Sequence, residues 1–244
     1  MTWKKAVGKF TCGGLAVLTV LLCRFWAWPG QVQTVFAPVR GGMATWIIDA
    51  GHGGEDGGAV SLTGAPESEI NLAIARRLDQ LLGFCGACPV LLREADISLH
   101  DPSAQTLREK KVSDLHNRAA AVEGTEHAVL ISIHQNSYPN GKYHGAQVFY
   151  ANGALSQPLA QHTQELLRDC LEPGNQRTAK PIGENVYLMN HISCPAILVE
   201  CGFLTNQEEE AKLRTEAYQT QLAAVLAGAI LTAPEASMGS TSIL

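Results

Sequence analysis

The run Ala128-Val129-Leu130-Ile131-Ser132-Ile133 is apolar at every position but one. A strand of that kind has no polar face to offer water, so it has to lie in a sheet covered on both sides. Thr45-Trp46-Ile47-Ile48 and Pro195-Ala196-Ile197-Leu198-Val199 have the same character, and helical patterns separate the three runs. An α/β architecture is what such a chain can build.

Each run delivers a reactive side chain at its C-terminal end: His52 in the turn Asp49-Ala50-Gly51-His52-Gly53-Gly54, His134 in His134-Gln135-Asn136, and Glu200 after Val199. Ligands of open α/β sheets gather beyond the carboxyl ends of the strands. A lone turn histidine or a paired structural glutamate is the bland reading of any one of these, but three at the same end favour a shared site. The glycines around His52 remove side-chain bulk and permit positive φ, so the chain can turn sharply while another group approaches the ring.

The segment Glu67 to Leu82 reads as a helix that begins after Pro66. At roughly 100° per residue, Ile70, Ile74, Leu78, Leu81 and Leu82 fall on one stripe; Glu67 lies near its centre and Glu69 almost opposite. Glu69 is then a solvated charge. Glu67 is a carboxylate on the buried face, costly unless a cation or strong donors meet it, although alone it would be read as capping the helix or facing water.

The remaining elements are expected as a strand at Pro89–Leu92, a polar loop from His100 to Val112, and a helix at about Ser113 to Val122 with Ser113 as N-cap. A strand at Gly145–Tyr150, a helix at Ser156–Leu171, a short strand or site wall at Asn185–Met189 and closing helices near Gln207–Arg214 and Glu216–Leu231 follow. Arg93, Asp96 and Arg118 are expected to pin the intervening loop through ion pairs rather than to hold substrate. His144 and His191 lie near loops that could border the site and could replace a misassigned ligand, whereas His100, His116, His127 and His162 are read as surface residues. Cys85-Gly86-Ala87-Cys88 has no second CxxC and follows a helix, which excludes a four-thiolate zinc ribbon and speaks against a redox motif; a connecting loop remains, with a disulfide open to it outside the cytoplasm.

Two imidazoles and one carboxylate, His52, His134 and Glu67, are a ligand set of catalytic zinc sites that leave the fourth position open. Zinc there can lower the pKa of water to roughly 7 and polarise a carbonyl oxygen. Glu200 is left over as general base and then general acid to a leaving nitrogen, so the implied reaction is amide hydrolysis.

The N-terminus is of another kind. Lys4, Lys5 and Lys9 precede an apolar run from Phe10 to Cys23, followed by Arg24 and by Trp26 and Trp28. This is an export signal, and without a convincing small-residue cleavage site an uncleaved membrane anchor is expected. The expected organisation is an anchor at 1–28, a linker at 29–44, a catalytic domain at 45–232 and a disordered tail at 233–244. A net charge of −5 argues against nucleic acid as a partner.

The segments Ile48-Asp49-Ala50-Gly51-His52-Gly53-Gly54, Glu67 to Ala75, Leu92-Arg93-Glu94-Ala95-Asp96, Ser132-Ile133-His134-Gln135-Asn136 and Leu198 to Asn206 resemble, in order and spacing, the zinc-dependent N-acetylmuramoyl-L-alanine amidases of bacterial cell walls. The resemblance spans about Trp46 to Ile230 and implies zinc on His52, Glu67 and His134, catalysis by Glu200, and a mixed twisted β-sheet flanked by helices on both faces. It implies as substrate the peptidoglycan amide between the muramic acid lactyl group and L-alanine. Within the family the chain looks most like the spore-cortex amidases of endospore formers. That likeness implies extracytoplasmic action in muramic δ-lactam formation, and an extracytoplasmic activator protein is a candidate partner. A vegetative autolysin, a stem-cutting zinc peptidase and a membrane-tethered glycan-binding module are the alternatives. Two positions depart from the usual pattern: Gln135, expected to narrow the cleft, and Cys201, expected to point away from the face of Glu200.

Overall fold

A computed structural model of the chain describes residues 44–234. The expected export segment, the linker up to residue 43 and the tail beyond residue 234 lie outside the described residues. No helix among the described residues is long and apolar enough to cross a membrane.

The three apolar runs form neighbouring parallel strands. β1 (Thr45–Ala50) and β3 (Ala128–Asn136) pair from Thr45 with Ala128 to Ala50 with Ile133, and β6 (Ala196–Phe203) continues the sheet on the other side of β3. β2 (Val90–Leu91) adds a parallel edge to β1, whereas β4 (Gln147–Tyr150) runs antiparallel to β6 and carries β5 (Lys180–Pro181). The order is β2-β1-β3-β6-β4-β5, a mixed sheet as the family resemblance implies.

Side chains alternate between the two faces of each strand. Trp46, Ile48, Val129, Ile131, Ile197, Val199 and Cys201 lie in the larger core, with residues of α1 (Glu67–Phe84), α3 (Ser156–Leu171) and α6 (Glu216–Leu231). Ile47, Leu130, Ala196 and Leu198 face the other way, onto Ala119 and Val122 of α2 (Leu107–Glu123) and Leu188 and Met189 of α4 (Tyr187–Asn190). Helices therefore cover both faces. The last helix-forming segment before α6 is α5 (Gln207–Leu213).

Three expectations are corrected. α2 begins at Leu107 rather than Ser113: Thr106 accepts a hydrogen bond from the Glu109 N–H, and the Glu109 carboxylate reaches back to the Thr106 N–H. This capping box satisfies two orphan donors and starts the helix inside the supposed loop. The segment expected as a short strand or wall at Asn185–Met189 instead forms the single turn α4, since its own carbonyls accept the bonds a sheet neighbour would have supplied. Cys85 and Cys88 are both free thiols.

Candidate metal centre

His52 follows β1 in a turn with φ of 63°, a left-handed conformation that a non-glycine residue adopts at a cost. Two buried arginines hold that turn. Arg93 donates to the carbonyls of Ala50 at 2.8 Å and Gly51 at 3.1 Å, and also to Ser68 in the first turn of α1 at 2.8 Å. Arg118, from α2, donates to the carbonyls of Ala50 at 3.0 Å and His52 at 2.8 Å. The guanidinium of Arg118 is in turn paired with Asp49 and with Asp114, the latter at 2.7 Å, while Ser132 donates to Asp49 at 2.6 Å. Arg118 thus acts through ion pairs as expected. Arg93 pairs with Asp96 as well, at 3.9 Å, and beyond that expectation it works as a clamp on backbone carbonyls.

Glu67 opens α1 and is 3% exposed, whereas Glu69 beside it is exposed, as the helical stripe requires. Loop carbonyls accept the first orphan N–H groups of the helix, Glu67 bonding Ala59 and Ser68 bonding Gly57, which fixes the carboxylate in depth. One oxygen, Oε1, accepts from the Gln135 N–H at 3.1 Å and the Asn71 amide at 3.2 Å and lies 3.0 Å from His134 Nδ1. The other, Oε2, accepts from the Ala59 N–H at 2.9 Å and lies 3.4 Å from His52 Nε2. Burial alone would raise this carboxyl, but the hydrogen bond and charge of His134, the charge of His52 and the Ala59 N–H outweigh it and hold it down at about 2.

Close approach of backbone is required for this convergence. A Cβ on Gly51 would lie 2.2 Å from the His134 ring, and one on Gly58 would lie 2.6 Å from Glu67 Oε2. With those side chains absent, His52, Glu67 and His134 offer ligand atoms that all lie within 4.8 Å of one another, the one such group among the described residues. The two imidazoles meet edge to face with centroids 5.1 Å apart.

Glu200 stands one strand away, the register partner of His134. Its Oε2 is buried and has no hydrogen-bond partner. Burial pushes its carboxyl up to about 7, the charges of His134 and His52 opposing the rise and that of Glu67 adding to it. The structure therefore brings the four expected residues together: three converging ligand atoms, and one carboxylate close by with an unmet acceptor.

Asp56 was not foreseen. Its Oδ2 lies 3.0 Å from His52 Nδ1, four residues away in the same glycine-rich loop, and this hydrogen bond from His52 is the first cause that draws its carboxyl well below the usual range. A carboxylate so close after a glycine-flanked histidine was the available signal. Gln135 is corrected: it does not narrow the cleft. It is buried on the opposite side of β3 from His134, where its amide donates to Asn71 Oδ1 at 3.1 Å, and Asn71 donates to Glu67. Cys201 is fully buried in the larger core, on the face opposite Glu200, as alternation requires. His191 stacks on Tyr187, and neither it nor His144 joins the ligand group.

The N-acetylmuramoyl-L-alanine amidase family (Amidase_3) matches residues 47–232. The germination-specific N-acetylmuramoyl-L-alanine amidase of Bacillus subtilis is 36% identical over 185 residues, covering 75% of this chain and 77% of that protein. The N-acetylmuramoyl-L-alanine amidase LytC of the same organism is 31% identical over 182 residues, 73% of this chain but only 33% of its own length. Among solved structures, the CwlD amidase from Clostridioides difficile, determined in complex with the GerS lipoprotein, aligns with a TM-score of 0.74 and 36% identity over 77% of this chain and 96% of that one. A match through most of the sheet and both helical layers, over residues that include all four of the clustered side chains, leaves one assignment: the chain belongs to the N-acetylmuramoyl-L-alanine amidase family.

Proposed function

We propose that this chain is a zinc-dependent hydrolase of the amide between the muramic acid lactyl group and L-alanine, with His52, Glu67 and His134 as metal ligands and Glu200 as the catalytic carboxylate. The observation that carries the reading is the triangle of ligand atoms. Ligands about 2.0–2.1 Å from a tetrahedral zinc stand about 3.3 Å from each other. Glu67 Oε1 lies 3.0 Å from His134 Nδ1 and Oε2 lies 3.4 Å from His52 Nε2, and one ligand atom from each of the three residues lies within 4.8 Å of the others, so the donor set and its spacing fit the ion. A bound zinc supplies Lewis acidity, activating water and polarising the scissile carbonyl.

The rest falls to the chain's own residues. Asp56 accepts the Nδ1 proton of His52 and so turns Nε2 toward the ligand group. The N–H groups of Ala59 and Gln135 and the amide of Asn71 orient both oxygens of Glu67. Glu200, whose Oε2 has no other partner, takes a proton from the attacking water and returns it to the departing amine of L-alanine. Asp56→Asn is expected to keep the fold and to weaken metal binding by about 10–100-fold, as loss of an outer-shell carboxylate does elsewhere. Competition with a graded chelator series measures this, and an unchanged affinity would remove Asp56 from the centre.

The cellular reading is action outside the cytoplasm on spore cortex, ahead of muramic δ-lactam formation, after export through the N-terminal segment. Similarity to a germination-specific amidase at 36% identity supports it. The alignment with a structure determined as a complex with a lipoprotein supports an extracytoplasmic activator as partner. Mass spectrometry of digested peptidoglycan tests the chemistry. A free lactyl carboxyl on muramic acid is the expected product, whereas shortened stems would indicate a peptidase and no new species a binding module.

A further inference from the structure

At the β4–β5 end of the sheet lies a second feature, a cavity of about 510 Å³ between the loop carrying Lys142 and His144 and the segment from Gly174 to Lys180. Its lining includes Lys142, Arg177 and Lys180 and no Asp or Glu, in a chain whose net charge is −5. Such a local reversal of sign makes an anion receptor. Arg177 is held in place by groups that leave its charge uncompensated. Its Nε donates to the His144 carbonyl at 2.9 Å, its Nη1 lies 3.4 Å from Gln147 Oε1, and its guanidinium sits 4.8 Å from the centre of the Phe203 ring. No carboxylate among the described residues pairs with it, whereas Arg93, Arg118, Arg168 and Arg214 each have one. The nearby Glu172 is engaged elsewhere, accepting from the Ala146 N–H at 3.0 Å and from Tyr218.

One lining residue, Gln147, is the antiparallel register partner of Glu200, which sets the cavity one strand from the reaction centre. In a muramyl peptide the N-acetylated sugars carry no ionised group once the lactyl carboxyl is tied up in the amide. All carboxylates are on the peptide. We infer that the basic cavity seats a carboxylate of the stem peptide, with Arg177 as its principal receptor and Lys142 and Lys180 in support, so that the leaving peptide lies over β4 and β5. This polarity of binding rests on the amidase reading.

The test uses two muramyl peptides that differ only in whether the peptide carboxyls are free or converted to carboxamides. Wild type is expected to favour the free acid by about 10–100-fold in kcat/KM, mainly through KM, the effect of one charge-assisted pair in a preorganised site. In Arg177→Gln that preference should collapse to within about 2-fold, with Arg177→Lys between, because the lysine keeps the charge but not the fork. Lys180→Gln, which gives up no hydrogen bond seen in the structure, should reduce the preference without loss of fold. An equal loss on both substrates in Arg177→Gln, or an undiminished preference in both neutral variants, would overturn the proposal. Calorimetry with the released stem peptide separates this from the parent reading. If wild type cleaves neither substrate, the amidase reading fails; Arg177-dependent binding of the peptide would still support the cavity, and no binding would overturn it.

Discussion

Glu200→Gln is expected to lower turnover of purified peptidoglycan by about 10²–10⁴-fold, the range for loss of a general acid–base. The same substitution should make the metal-free protein more stable. The sign follows from the direction of the shift: burial raises the folded carboxyl from its ordinary 4.5 to about 7, so the folded state holds this proton more tightly than the unfolded chain does. Below the unfolded value the residue costs nothing. Stability is lost as pH rises from there, and the full cost is present above about 7. Glutamine has nearly the same shape and no charge, so chelator-treated Glu200→Gln should exceed wild type by about 1–3 kcal/mol at about pH 8 and match it near about pH 4. Thermal or urea unfolding at the two pH values reads the difference. A loss of stability at the higher pH would mean that the carboxylate is satisfied and is not held in reserve. Zinc held at the proposed centre would place a dication near the residue and so shrink the gain.

The second large effect concerns Arg118. It is 2% exposed and faces Asp49, itself 1% exposed, with Asp114 on its other side. Burial tends to raise Asp49, and Arg118 and Ser132 together more than reverse this, so the carboxylate stays charged. Arg118→Met keeps much of the volume and removes the cation, leaving buried negative charge and freeing the carbonyls of Ala50 and His52. The expected loss is about 3–5 kcal/mol of unfolding free energy, a large part of what a domain of this size possesses. Asp49→Asn added to it should recover part of the loss, since removing both charges is far less costly than removing one. Urea unfolding of the single and double variants measures both, and a single-variant effect below about 1 kcal/mol would refute the claim that this pair braces the His52 turn.

The central strands and the four clustered residues were legible because each obeys a short-range period. Apolar runs marked strands covered on both faces, and the 3.6-residue stripe separated Glu67 from Glu69. α2 starts earlier than its pattern suggests because its first turns, Leu107 to Val112, are almost wholly exposed and carry no apolar stripe by which a helix is recognised. Its capping box, Thr106 with Glu109, was present in the sequence but lay within what reads as polar loop. A helix of one turn, like α4, is too short to display a period at all. Gln135 was misplaced although strand alternation puts it opposite His134; its partners, Asn71 and Glu67, are distant in sequence. The ion pair of Arg93 with Asp96 was legible from their closeness in sequence, but its clamp was not, since the carbonyl acceptors at Ala50, Gly51 and Ser68 become neighbours only when β1 and α1 dock.

Metal content measured alongside turnover for wild type, Glu67→Ala and Glu200→Ala is the most direct trial of the arrangement. Near-stoichiometric zinc is expected in wild type and in Glu200→Ala, the latter inactive, with zinc lost from Glu67→Ala. Equal zinc retention in both variants would contradict the account, because the carboxylate named as ligand would then be the wrong one.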